Sequence, residues 1–267
     1  MLRAVAFGES DLIVHLLTPA AGRLPAIAKG ARRSRRRFPG TLDLMNRLAV
    51  QVERRRPAAL ARLEGARLLH TYEAVRADAG RFALGCYLLE LLDRLAPEGG
   101  VASDMRRLFA FALEALEWLD REPPDARMRT LLELRALSAL GLRPELLRCV
   151  RCGKEVAAAG AHVSFLVAEG GPVCEACGSA AALGAALPVH LGTLRTLDRA
   201  LQFPLASLGR IALGGDALAE ASRLVSRFLG FHVGVELQSR RVLDEQLTLP
   251  GGEGKLPAFG RRDGRRG

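Results

Sequence analysis

A chain of 267 residues with 49% hydrophobic and 25% charged residues can bury a sizeable core and has the composition of an ordinary globular protein. No apolar run approaches the ~20 residues needed to span a bilayer. Glu9 and Asp11, close to the short apolar stretch 12–17, are not the flanks of a signal peptide, so a cytoplasmic protein without a membrane partner is expected. The net charge of +10 is unevenly placed: residues 1–62 hold 13 Lys/Arg against 4 Asp/Glu, and residues 255–267 hold 5 against 1. The stretch 63–254 is left slightly acidic, and a basic first quarter on a near-neutral body is what a polyanion-binding surface requires.

Apolar stretches at 2–7, 12–17, 24–28 and 48–52, with a further one at 67–70, are separated by Gly8-Glu9-Ser10, by the turn from Pro19 to Gly22, and by a long basic loop. About five strands in about eighty residues fit a small β-barrel such as an OB-fold, although the period alone does not separate that from an SH3-like barrel. The basic loop reads Lys29-Gly30-Ala31-Arg32-Arg33-Ser34-Arg35-Arg36-Arg37, and Arg54-Arg55-Arg56 follows the next strand. Packing like charges costs repulsion that a polyanion relieves, so these residues, with Arg47, are the predicted nucleic-acid contacts. A solvated loop is the plain alternative. Phe7 and Phe38 are the only aromatics before Tyr72, so backbone binding with weak base preference is expected.

From Gly80 the period changes to three to four. Phe82, Cys86, Leu89, Leu92 and Leu95 mark a helix ending at Pro97. Ser103 is the predicted cap of a second helix carrying Leu108, Phe109, Leu113 and Leu116, stopped by Pro123-Pro124. A third starts at Asp125 and ends before Gly141, with Met128, Leu131, Leu134 and Leu137 inward. Two further helices hold Leu191, Leu194, Leu197 and Leu201, and, after Gly214-Gly215-Asp216, Leu218, Leu224, Val225 and Phe228. Glu133 and Asp198, on such helices, are expected to face solvent. The segment 250–267 is Gly-, Pro- and Arg-rich without periodicity and is expected to be disordered.

Four of the five cysteines fall as Cys149-x-x-Cys152 and Cys174-x-x-Cys177. Each pair can place two thiolates on one tight turn, and the two together complete the tetrahedral sulfur set that Zn²⁺ accepts. A closed structural zinc site is the preferred reading; a redox pair and structural disulfides are the alternatives. The insert between the pairs, with Gly160, Gly170-Gly171 and an apolar stretch at 163–167, predicts a hairpin, and His162 within it is read as a hairpin residue. Cys86 belongs to a helix core. No P-loop, H-E-x-x-H or G-x-S-x-G motif occurs, and the five histidines are scattered, so neither ATP nor a catalytic constellation is expected.

At this point the sequence resembles the RecO family. The resemblance is carried by Gly8-Glu9-x-Asp11, Thr18, Gly22, Ala28-Lys29-Gly30-Ala31-Arg32, Tyr87-x-x-Glu90-Leu91-Leu92, Leu132-Glu133-Leu134, and Cys149-Val150-x-Cys152-Gly153. It continues through Gly170-Gly171-x-x-Cys174-x-x-Cys177 to the stretch from His232 to Arg240. The chain begins a few residues later than that pattern, and its arginine-rich loop is denser than the pattern requires. The resemblance implies an α+β protein with an N-terminal OB-fold (1–78), a mostly helical domain (79–249) containing a four-cysteine zinc element (149–177), and a basic tail (250–267).

It also implies a non-enzymatic mediator of recombination and DNA repair, cytoplasmic and nucleoid-associated. Such a protein binds single- and double-stranded DNA, anneals complementary strands without ATP, works with RecR, engages the tail of single-strand-binding protein, and helps load RecA. For that acidic, apolar-ended tail, Phe109, Leu113, Arg127 and Arg129 are the expected groove, with a core role for the two apolar residues as the alternative. A zinc-ribbon adaptor for RNA in transcription or translation is the competing function, and a catalytic zinc site a more distant one.

Overall fold

The computed structural model describes residues 1–34, 36–54, 60–156, 162–178, 186–234 and 237–248. Five strands come first: β1 (Arg3–Phe7), β2 (Asp11–Thr18), β3 (Gly22–Ala28), β4 (Arg47–Glu53) and β5 (Ala61–His70). They form one sheet in the order β1-β2-β3-β5-β4, with β3 and β5 parallel and the other pairs antiparallel. This is the Greek-key order of the OB-fold rather than of an SH3-like barrel. Alternation does the work: Val14 and Leu16 of β2, Ala26 and Ala28 of β3, and Ala61 and Leu63 of β5 point inward around Phe38 and Leu42. The amide of Met45 donates to the carbonyl of Met1, which draws the two outer strands together at one end. β5 is longer than the sequence suggested because it runs through Gly65, with a register shift between Gln51 and Val52 opposite.

Helices follow: α1 (Glu73–Ala77), α2 (Ala79–Leu95), α3 (Ala102–Arg121) and α4 (Ala126–Ala139). Asp125 caps α4 as expected, accepting from the amides of Arg127 and Met128. Ser103 does not cap α3: Val101 occupies that position, with no side-chain cap, and Ser103 lies inside the first turn. A three-stranded sheet, β6 (His162–Leu166), β7 (Gly171–Val173) and β8 (Leu187–His190), leads to α5 (Leu191–Gln202), α6 (Gly215–Val233) and α7 (Ser239–Thr248). α1, β8 and α7 were not foreseen. Among them α7 is held by Glu90 of α2, whose carboxylate accepts from the amides of Gln238 and Ser239 and from the Ser239 hydroxyl. Burial opposes ionisation of Glu90, but these three donors outweigh it and hold its pKa below the usual range.

Two expectations fail at the centre of the body. Glu133 and Asp198 are buried, not solvated. α4 is packed against α2, α3, α5 and α6, so its inward arc extends around nearly the whole helix and takes Glu133 with it. Asp198 is satisfied by Arg143 at 2.8 Å and by Gln202. 

The barrel and body are pinned together at the β2–β3 turn. Arg23 donates its amide to Pro97 and its guanidinium to Glu98, while Gly99 donates to Ala21. Gly22, at φ 62°, fits because it has no side chain; a Cβ there would lie 2.4 Å from the Pro97 oxygen and 2.5 Å from the Met105 sulfur. Gly22→Ala is therefore expected to cost about 2–4 kcal/mol, from the left-handed backbone and the clash together. Urea unfolding measures this; a loss under about 1 kcal/mol would mean that the junction yields.

Candidate nucleic-acid interface and metal centre

One end of the barrel gathers the ends of β1, β3 and β4 and the starts of β2 and β5. The basic loop leaves β3 at this end and is folded back on the barrel. Gly30, in the left-handed region at φ 67°, donates its amide to the Asp11 carboxylate at 2.8 Å, which holds the Asp11 pKa down. A single 3-10 turn, Ala31–Arg33, follows, with Ala31 buried. Arg32 reaches back twice to the β1–β2 turn, by its amide to the Ser10 carbonyl and by its guanidinium to the Glu9 carbonyl. Arg37 donates to the Lys29 carbonyl at 2.6 Å and lies 5.3 Å over the ring of Phe38, itself buried in the barrel core. The loop is thus anchored at Ala31 and Phe38, while Lys29, Arg32, Arg33, Arg36 and Arg37 are exposed.

Arg54 follows β4 at the same end, and Arg62, opposite Glu53 and Ile27 in register and paired with Glu64 at 2.7 Å, joins it because β5 begins at Ala61, ahead of the apolar stretch 67–70. Arg35, Arg55 and Arg56 lie outside the described residues. Arg47 does not join the group: it opens β4 at the opposite end, toward the helices. Phe38 being buried, Phe7 is the one aromatic presented here among the described residues, 52% exposed at the end of β1.

The expected groove on the body is also divided. Phe109 and Leu113 of α3 line a cleft of about 160 Å³ against Leu16, Leu17 and Leu48, with Arg47 at its edge. Arg127 and Arg129 are used internally. Arg127 pairs with Asp125 and donates to the Ile211 carbonyl at 2.6 Å. Arg129 binds Asp244, Ser222 and Glu133.

The four cysteine sulfurs lie within 4.8 Å of one another, close enough to hold a metal ion. Cys152 and Cys174 are 3.7 Å apart, which matches the ~3.8 Å edge of a tetrahedron built on ~2.3 Å zinc–sulfur bonds. Four thiolates form a closed, soft donor set suited to Zn²⁺ and leave no position for a reacting water. Both pairs sit on tight turns: Gly153 donates to the Cys149 carbonyl, and the amides of Cys177 and Gly178 donate to that of Cys174. Burial would push the Cys149 thiol up, but backbone amides of Cys174, Cys152 and Arg151 outweigh it and bring its pKa to about 6. Arg151 clips the two turns together, pairing with Glu169 and donating to the Cys177 carbonyl at 2.6 Å. His162 instead stacks edge-on against His190 across β6 and β8, away from the ligand set.

Two family descriptions match the chain, Recombination protein O N terminal over residues 1–72 and Recombination protein O C terminal over residues 76–241. Similar curated proteins include the DNA repair protein RecO of Anaeromyxobacter dehalogenans (strain 2CP-C), 38% identical over 252 residues, 94% of this chain and 96% of that one. The DNA repair protein RecO of Geobacter sulfurreducens is 34% identical over 248 residues, covering 93% and 96%. That of Syntrophus aciditrophicus is 31% identical over 245 residues, covering 92% and 93%. No helix of the described residues is long and apolar enough to cross a membrane.

Proposed function

Because the chain belongs to the RecO family of DNA repair proteins, we propose that it is a non-enzymatic recombination mediator that binds single- and double-stranded DNA at the basic end of its barrel and anneals complementary strands. The observation that carries this reading is the anchored loop. Its cations are presented on a fixed scaffold at the end where β1 passes to β2 and where β4 ends beside the start of β5, the end at which OB-folds take oligonucleotides. Screening two polyanions lets them pair downhill, so no ATP is needed. One Zn²⁺ on Cys149, Cys152, Cys174 and Cys177 serves the fold of the helical domain. RecR and RecA-loading are the partners this role implies, in the cytoplasm at the nucleoid.

For the tail of single-strand-binding protein, the cleft at Phe109 and Leu113 with Arg47 at its edge is the better site, since Arg127 and Arg129 have internal partners. That leaves Arg47 serving the protein partner rather than the DNA.

The test is annealing of complementary oligonucleotides coated with single-strand-binding protein, comparing wild type with a variant in which Arg32, Arg33, Arg35, Arg36 and Arg37 are all alanine. Loss of about five phosphate contacts is expected to abolish annealing at 150 mM salt and to reduce the salt dependence of binding by about four in slope. Annealing by the variant at the wild-type rate would move the DNA site elsewhere. A wild type that prefers structured RNA and does not anneal would favour an RNA adaptor instead.

Phe7 is expected to stack one base. Phe7→Ala should weaken single-strand binding by about 1–3 kcal/mol and leave duplex binding nearly unchanged, by fluorescence anisotropy. Equal losses on both would assign Phe7 no stacking role.

A further inference from the structure

The helical body carries its own cationic face, built in the same way on two neighbouring helices. α5 exposes Arg195, Arg199 and, just past its end, Phe203; α6 exposes Arg223, Arg227 and Phe231. In each case the spacing is i, i+4, i+8, which places the three side chains in one row. The two phenylalanines are 41% and 61% exposed. Glu220 lies three residues before Arg223 on the same face of α6, and its carboxylate accepts from the amide of His190, the residue that begins α5. This bond ties the start of α5 to α6.

What marks this face is two rows of arginines whose guanidiniums have no partner among the described residues. On other helices several arginines are matched one turn away, Arg107 with Asp104, Arg121 with Glu117, Arg240 with Asp244, and Arg241 with Glu245, whereas Arg94 and Arg106 stand singly without such a match among the described residues. Among the described residues, Arg195, Arg199, Arg223 and Arg227 have no ion-pair or hydrogen-bond partner. Of the three carboxylates on these helices, Asp198 is buried with Arg143 and Gln202, Glu220 is bound to His190, and Asp216 lies in the first turn of α6. Arginines four residues apart on a helix repel one another, and each row keeps that repulsion unrelieved. Each row ends in an exposed phenylalanine. A pair of free cations followed by an exposed ring is an arrangement that suits a single strand, with phosphates on the guanidiniums and a base on the ring.

We propose that this α5–α6 face is a second DNA site, which holds a single strand while the barrel loop holds another, so that one molecule brings the two strands to be annealed together. The inference rests on the mediator reading. It adds a place for the second strand, on a part of the chain whose overall charge gives no hint of one.

The experiment uses the full chain. A biotinylated oligo-dT strand is immobilised and saturated with protein, and a fluorescent oligo-dT that cannot pair with it is then added. Wild type should capture the second strand. With Arg195, Arg199, Arg223 and Arg227 all changed to alanine, capture should fall at least tenfold and its salt slope by about three, while binding to the first strand changes less than threefold. The corresponding four-lysine variant should restore capture, which separates a charge effect from misfolding. Undiminished capture by the alanine variant overturns the proposal, as does displacement of a bound acidic peptide with no second-strand capture, which would make the face a protein site. The failures remain distinguishable: loss of first-strand binding by wild type would sink the mediator reading, whereas first-strand binding without bridging sinks only the second site.

Discussion

Cys152→Ser, or stripping the metal with a strong chelator at neutral pH, is expected to cost more than about 4 kcal/mol and to lower the melting temperature of the helical domain by about 8–16 °C. Cys152 is exposed, so serine there leaves no cavity and any loss is the metal's. The two cysteine turns are 21 residues apart in sequence, and among the described residues few protein bonds join them, chiefly the Arg151 clip and the Val150 amide to Pro172. Above them β6, β7 and β8 bury Val163, Phe165, Val173, Leu187 and Val189 in the body's core. Losing the metal frees the turns, and the small sheet then has to hold itself on very short strands. The barrel has a separate core, so first-strand binding should survive the treatment. Metal must displace thiol protons, so retention should weaken steadily as the pH falls. Metal content by atomic absorption, read with thermal melting, decides the matter. Cys86→Ser is the control, since burial pushes that thiol up to about 11 and it lies on α2, outside the cluster. A wild type that purifies without metal and melts unchanged in chelator would overturn the structural role.

Much of this was legible in the sequence wherever a local signal fixes a local feature. Period two and period three to four placed β1 to β4 and five of the helices. The paired C-x-x-C spacing identified four sulfurs that the fold brings together. Asp125 announced its helix because capping chemistry is local to a few residues. The failures share a cause, which is that they depend on what surrounds an element. α7 carries Arg240, Arg241, Asp244 and Glu245 and looks solvated; it is a packed helix because Glu90 and Arg129 reach it from far away in the chain. Arg127 and Arg129 look like a free basic pair until their tertiary partners are known. Arg47 looked like part of the basic group because it is close in sequence, yet a strand of seven residues carries it to the far end of the barrel. Five cations of the loop were legible as exposed; that Ala31 and Phe38 would anchor it was not, because both are small signals in a run of arginines.

Arg129→Ala tests the least legible part of the body, and is expected to cost about 3–5 kcal/mol at pH 7. Glu133 is fully buried on α4; the Tyr87 hydroxyl donates to its Oε1 at 2.5 Å, while its Oε2 has no partner among the described residues. Burial raises the Glu133 pKa, opposed by the Tyr87 donor and by the positive charges of Arg129 and Arg240. Arg129 lies 3.8 Å from that carboxylate and also binds Ser222 on α6 and Asp244 on α7, so its loss strands a buried acid and unfastens two helices at once. Because the folded Glu133 pKa stands above the unfolded value near 4.5, the folded state binds the extra proton between the two values. Stability contributed by this group is therefore present at low pH and lost as the pH rises through the folded pKa. Removing the Arg129 charge raises that folded value further, so the variant's deficit should be smaller at pH 5 than at pH 8. Urea unfolding of wild type and variant across that range measures it, and adding Glu133→Gln should flatten the extra pH dependence while leaving the loss at α7. A deficit independent of pH would assign the whole effect to the contacts with Ser222 and Asp244, and the buried acid would then be held by Tyr87 and the charge of Arg240.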